Sequence, residues 1–180
     1  HLYYFLVVIS VVFFVGILAA MAMFAVKYHR TKSTESSDMH GHTGVEIVWT
    51  VIPTILVLGI FVWGWRVYKE MVQAPSDAYE VKVLGKQWLW QFQYDDGRVT
   101  TNELFVPVNK PIKLVMTSED VLHSFFVPNF RIKQDVVPGM YTSVWFETHA
   151  EGKHQVYCAE YCGAAHSGML AQIVALSDQD

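Results

Sequence analysis

The sequence predicts an α+β membrane protein, with an N-terminal two-helix transmembrane hairpin (residues 1–71) followed by a Greek-key β-barrel or sandwich domain (residues 72–180). Three observations predict it. Two long runs, Leu2 to Val26 and Ile47 to Trp65, are 25 and 19 residues long and hold no charged side chain. From about Val72 onward the pattern changes to short alternating runs broken by turn residues. The 180 residues are 52% hydrophobic, but the apolar residues are not spread evenly as a soluble domain of this length requires.

Each charge-free run meets the length of about 20 residues that a helix needs to cross a hydrocarbon core. The first is too long for the apolar core of a signal peptide, and no small-residue cleavage site follows it. The second contains Pro53 and Gly59, which a membrane helix accepts more readily than a soluble one. Trp63 and Trp65 lie where an aromatic belt meets headgroups, just before Arg66 and Lys69. Spans at about 2–26 and 47–65 follow, with a buried soluble helix as the alternative for the second. The polar segment "KYHRTKSTESSDMHGHTG" joins them, so both ends of the hairpin face one side. Its Lys27, Arg30 and Lys32 outnumber Arg66 and Lys69, which favours a cytoplasmic loop. His29, His40 and His42 in this loop have no cysteine or carboxylate scaffold and read as solvated.

"YKEMVQAPSDAYE" links the second span to the β-rich part. In "KQWLWQFQYDDGRV", Trp88, Trp90, Phe92 and Tyr94 alternate with glutamines, and Asp96-Gly97 supplies a hairpin turn. "PIKLVMT", "YTSVWFET" and "HQVYC" continue the pattern, interrupted by Pro107, Pro111, Pro128 and Pro138-Gly139. Strands do not alternate with helical patterns, which argues against a thioredoxin-like or Rossmann-like βαβ domain. This part carries 8 basic and 13 acidic residues. An acidic surface attracts a cationic partner and repels nucleic acid.

The chemistry concentrates in "YCAEYCGAAHSGM", which holds the only two cysteines, Cys158 and Cys162, followed by His166 and Met169. A disulfide between the cysteines would close a very small loop and gain little from constraining the unfolded chain. Zinc would use two cysteines and two histidines but has no use for a thioether. A thiol-redox pair usually has two intervening residues at the start of a helix. Thiolate and thioether beside imidazole select copper, and "EDVLHSFFVP" supplies a second histidine, His123, which alone would read as a satisfied strand-end residue. One blue-copper ion needs a single cysteine, so this set has one thiolate too many. Two bridging cysteines, two histidines, Met169 and a loop carbonyl fill two four-coordinate sites, which favours a dinuclear copper centre.

With these residues the sequence resembles subunit II of haem-copper cytochrome c oxidases. The resemblance rests on the two-span hairpin, "VEIVWTVIPT", "GKQWLWQFQY", "SEDVLHSFFVP", "KQDVVPGM" and "CAEYCGAAHSGM", and covers nearly the whole chain. It implies a cupredoxin-like β-barrel carrying a dinuclear CuA centre on the outer side of a bacterial plasma membrane or mitochondrial inner membrane. Residue by residue, it implies His123, Cys158, Cys162, His166 and Met169 as side-chain copper ligands. Glu160 matches the position whose backbone carbonyl binds copper and whose carboxylate reaches a magnesium ion shared with subunit I. Trp88 matches the residue where electrons from cytochrome c enter, and Trp90 reads as packing. Glu46 matches a carboxylate at the mouth of a proton-uptake path, a position that helix-start electrostatics also explains. Glu119, Asp120 and Asp135 fall where acidic side chains approach the cytochrome c docking surface.

The function implied is electron entry. Cytochrome c would deliver electrons to the copper pair, which would pass them to haem in subunit I for reduction of oxygen to water coupled to proton translocation. Subunits I and III are the implied partners, and no catalytic residue for oxygen chemistry lies in this chain. Val156 stands where many family members have glycine two positions before the first cysteine, and no C-x-x-C-H haem motif occurs in the 180 residues. Three other readings fit the sequence less well. A copper chaperone with C-x-x-x-C and a distant histidine has a thioredoxin fold and normally one anchor. A quinol oxidase subunit II lacks the copper ligands. Nitrous oxide reductase carries this copper centre in a larger soluble enzyme with a propeller domain.

Overall fold

A computed structural model describes residues 1–32 and 41–177; His40 and residues 178–180 lie outside the described residues. The chain divides into two compact units, His1–Tyr68 and Lys69–Asp180.

In the first unit, helix α1 spans Leu2–Lys27 and helix α2 begins at Thr43 and continues to Val72, into the second unit. Their mean hydropathies reach 2.9 and 2.3, yet none of either apolar window is buried inside the protein. Helices this apolar that the chain leaves unburied fit membrane spans, and the buried soluble alternative for the second run fails on this point. The Phe5 ring meets the Trp63 ring at 5.5 Å, pairing the start of one helix with the end of the other. α2 is longer than its charge-free run at both ends, because Glu46 sits in its first turn and Lys69 in its last. Pro53 is accommodated inside it, and one residue on, the Thr54 hydroxyl donates to the Thr50 carbonyl at 2.7 Å.

The second unit holds ten strands in two five-stranded sheets. One has the order β3-β2-β1-β5-β8, built from β1 (Tyr79–Lys86), β2 (Leu89–Gln93), β3 (Val99–Thr101), β5 (Ile112–Ser118) and β8 (Thr142–Phe146). The other has the order β4-β10-β9-β6-β7, from β4 (Glu103–Pro107), β6 (His123–Val127), β7 (Ile132–Val136), β9 (Gly152–Cys158) and β10 (Leu170–Leu176). Most pairs are antiparallel, but β1 runs parallel to β5 and β4 parallel to β10. Alternation along the strands sends Val81, Trp90, Phe92, Leu114, Phe125 and Ile173 into one core, as expected for half-buried strands.

The Asp96-Gly97 turn forms as the sequence suggests, with Gly97 N–H donating to the Tyr94 carbonyl at 3.0 Å. Trp88 differs. Because Lys86 pairs with Leu89, Gln87 and Trp88 are the two-residue loop of the β1–β2 hairpin, and only Trp90, Phe92 and Tyr94 are buried along the strand.

Asn102 turns the chain from β3 to β4 in the left-handed region, φ 59°, a conformation asparagine tolerates better than most residues. Its N–H donates to the Trp90 carbonyl and its Oδ1 accepts from the Trp90 N–H, both at 2.8 Å, while its own carbonyl accepts from Gln172 N–H at 2.9 Å. One residue therefore ties β2 of the first sheet to β10 of the second.

Leu104 is fully buried opposite Ile173. Replacing it with alanine is expected to destabilise the domain by about 2–5 kcal/mol, through lost burial and a residual cavity. Denaturant unfolding of the detergent-solubilised chain followed by tryptophan fluorescence measures this.

Candidate metal centre

Four segments meet at one end of the sandwich: the β1–β2 loop, the start of β6 at His123, the end of β9 at Cys158, and the loop that leads through Cys162 and a turn at His166–Gly168 to Met169 and β10. The pairing of Phe125 with Cys158 sets β6 beside β9 and brings His123 to the cysteines, 35 residues away in sequence. His123, Cys158, Cys162 and Met169 are all buried, at 0%, 8%, 3% and 0% exposure.

The two thiols are free, with sulfurs 3.7 Å apart. That is too long for a disulfide, whose bond is about 2.05 Å. Cys158 Sγ lies 3.8 Å from His123 Nδ1 and 3.3 Å from the Glu160 carbonyl oxygen. Cys162 Sγ lies 3.5 Å from His166 Nδ1 and 3.8 Å from Met169 Sδ. Donors that bind one ion at about 2.0–2.3 Å at near-tetrahedral angles stand about 3.3–3.8 Å from each other. Each cysteine thus has its own imidazole and its own weaker donor at metal-sharing distance. The ligand atoms of His123, Cys158 and Cys162 all lie within 4.8 Å of one another and could hold a metal ion. His166 is outside that group, on the Cys162 side, so the four strong donors do not converge on a single point.

Burial, with Cys158 alongside, pushes the Cys162 thiol up to about 12. In the metal-free protein it is therefore a neutral thiol, and a metal cation that binds it must displace a proton.

Asp120 joins this site in a way its position in the sequence does not reveal. Its Oδ1 lies 2.9 Å from His123 Nε2 and its Oδ2 accepts from the Gln87 main-chain N–H at 2.7 Å. The carboxylate thereby engages Nε2, leaving Nδ1 turned to the sulfurs, the arrangement by which an outer carboxylate orients a ligating histidine. Partial burial raises the Asp120 carboxyl, but the Gln87 N–H, His123 and the Val121 N–H outweigh it and hold the group below its ordinary value.

The side chains of Glu119, Asp135 and Glu160 make no described contact with the sulfurs. Glu119 is exposed and paired with Lys86. Asp135 is exposed on β7 and accepts from the Ser124 hydroxyl at 2.8 Å. The Glu160 side chain is at the surface, although its carbonyl faces Cys158. Glu46 belongs to the helical unit, in the first turn of α2. Trp88 is 37% exposed, and its indole N–H donates to the Cys162 carbonyl at 3.2 Å.

Three contributors escaped the sequence reading. Gln87 donates through its side chain to the same Cys162 carbonyl at 2.8 Å. Gly85 lets β1 pass close to the site, since a Cβ there would stand 3.1 Å from the His123 ring and 3.3 Å from the Trp90 ring. Gly163, at φ 117°, faces the β1–β2 loop, where a Cβ would stand 2.9 Å from the Gln87 amide nitrogen. The only signal for them was proximity in sequence to Trp88 and Cys162, which says nothing of contact across 75 residues.

Fold and site together define a membrane-anchored β-sandwich whose strand ends carry a buried, sulfur-rich cluster able to hold a metal ion. The family model for the cytochrome c oxidase subunit II transmembrane domain matches residues 1–67, and that for its periplasmic domain matches residues 98–176. The chain belongs to the cytochrome c oxidase subunit II family. It is 30% identical to an alternative cytochrome c oxidase subunit 2 of Bradyrhizobium diazoefficiens, over 93% of this chain and 72% of that one. A cytochrome c oxidase subunit 2 of Synechocystis is 28% identical over 86% of this chain and 61% of its own length. A third, from Alkalihalophilus pseudofirmus, is 33% identical and is matched over 51% of its length, so the chain spans between half and three quarters of these relatives. Among solved structures, the periplasmic domain of subunit II of the cytochrome oxidase of Bradyrhizobium japonicum superposes with a TM-score of 0.57 at 31% identity, over 59% of this chain and 90% of that one.

The Asp120 link has a pH signature. A carboxyl held below its unfolded value of about 3.9 contributes its stabilisation fully above that value and loses it as pH falls toward the lower folded value. Asp120→Asn is therefore expected to lower the thermal midpoint of the metal-free chain at pH 7. The gap to the unsubstituted chain should close below about pH 4, measured by circular dichroism melts across that range.

Proposed function

We propose that this chain is the electron-entry subunit of a cytochrome c oxidase, holding two copper ions between Cys158 and Cys162. The observation that carries this reading is the division of the donors into two sets about a shared pair of sulfurs: His123 with the Glu160 carbonyl, and His166 with Met169. Soft sulfur donors beside imidazole suit copper, and the bound pair would supply a one-electron carrier. The chain's own residues bury both sulfurs and aim Nδ1 of each histidine at one of them, and Cys162 gives up its thiol proton when metal enters.

Trp88 is the point of electron arrival. It is partly open to solvent, and its N–H···O=C contact leads directly to the backbone of a proposed ligand, Cys162. Glu119, Asp120 and Asp135 are exposed acidic groups on the same domain and would attract a basic cytochrome c. The Glu160 carboxylate is free to reach a magnesium ion shared with subunit I, and Glu46 would stand at the mouth of a proton-uptake path. Electrons would leave for haem in subunit I, where oxygen is reduced and protons are pumped, with subunit III as a further partner. The copper domain then faces the outer side of a bacterial plasma membrane or mitochondrial inner membrane.

Electron paramagnetic resonance of the copper-loaded, partly oxidised chain tests this reading. The expected spectrum shows one unpaired electron shared by two copper nuclei, and Cys158→Ser should abolish the sharing. A single-copper spectrum, or a Cys158–Cys162 disulfide in place of bound copper, would overturn it. Trp88→Phe should keep one unpaired electron shared by two copper nuclei while slowing reduction by cytochrome c in stopped-flow measurements.

A further inference from the structure

We infer that Gln87 is a positioning residue of the metal centre, clamping the Cys162 loop with its side chain and the His123 segment with its main chain. Its role as a brace of the copper ligands rests on the function proposed above; the clamp itself rests on geometry alone.

Gln87 is the first of the two residues in the β1–β2 loop, and each of its polar groups on this side reaches a different ligand segment. The amide side chain donates to the Cys162 carbonyl at 2.8 Å. The main-chain N–H donates to Asp120 Oδ2 at 2.7 Å, and the other oxygen of that carboxylate holds His123 Nε2 at 2.9 Å. Two segments far apart in sequence, each carrying proposed ligands, are thus referred to one residue of a third. Gly163, whose φ of 117° favours glycine in any case, leaves room for the Gln87 amide, which a Cβ there would meet at 2.9 Å.

Trp88 N–H shares the same carbonyl at 3.2 Å, so the loop holds that oxygen with two donors. A carbonyl fixed by two N–H groups fixes the peptide plane between Cys162 and Gly163, and with it the directions of Cys162 Sγ and of the segment leading to His166. Cys158 sits at the end of a paired strand and needs no such brace.

The test uses the full chain in detergent, comparing Gln87→Met, which keeps length and loses the donor, with Gln87→Glu, which sets a carboxylate against the carbonyl. In the metal-free chain, alkylation by iodoacetamide mapped by mass spectrometry should speed up about two- to tenfold at Cys162 in Gln87→Met, the range for losing one hydrogen bond. It should speed up further in Gln87→Glu and stay unchanged at Cys158. In the copper-loaded chain, release of copper to a chelator should accelerate over the same range while two ions per chain remain bound at the start. Equal acceleration at both cysteines would show general loosening and overturn the inference, as would variants indistinguishable from the parent. The alkylation arm needs no metal, so a parent chain that binds no copper would overturn the proposed function and leave the clamp to be decided by the thiols.

Discussion

Two thiols held 3.7 Å apart inside a dry core are the constraint on which the rest of this domain depends. Both are buried and unbridged, and each faces its own nitrogen. Keeping them so requires the end of β9 and the return loop to β10 to be fixed independently of one another. The sheet fixes the first through the pairing of β6 with β9. The loop lies between strands; its ends are tied by Ala159 N–H to the Ser124 carbonyl and Cys158 N–H to the Met169 carbonyl, and at Cys162 by the Gln87 and Trp88 donors that meet its carbonyl.

The surrounding groups act by exclusion as much as by contact. Gly85 and Trp90 close one side of His123, whose ring centroid lies 5.8 Å from the indole, and Asp120 closes its outer nitrogen. The imidazole has no room to rotate. Ligand side chains at strand ends, as at His123 and Cys158, are held more firmly than side chains on a loop, which suits a site that must keep one geometry.

Much of this was legible in the residues. The charge-free runs specified two helices because length and composition alone decide what can lie in lipid, and the alternation around Trp90, Phe92 and Tyr94 specified a half-buried strand because side chains alternate faces strictly. The spacing of Cys158, Cys162, His166 and Met169 pointed to soft-metal chemistry, and His123 was singled out because that loop offers only one imidazole and a second had to come from elsewhere in the chain. Trp88 read as one more residue of a strand, since alternation does not announce where a two-residue turn falls. Asp120 read as a surface acid because the sequence carries no mark of which way a carboxylate turns, and Gln87 was passed over for the same reason. Contacts that depend on register between distant strands leave no periodic trace.

Asn102 changes how variants of this domain should be interpreted. It never approaches the sulfurs, yet it holds the backbone of Trp90, whose ring packs against His123, and that of Gln172, three residues beyond Met169. A substitution there would release two sheets from their common hinge pin and let the two halves of the donor set drift relative to each other. Any loss of metal binding in a variant of this protein would thus be a gauge of sheet alignment as well, and would not by itself identify a lost ligand.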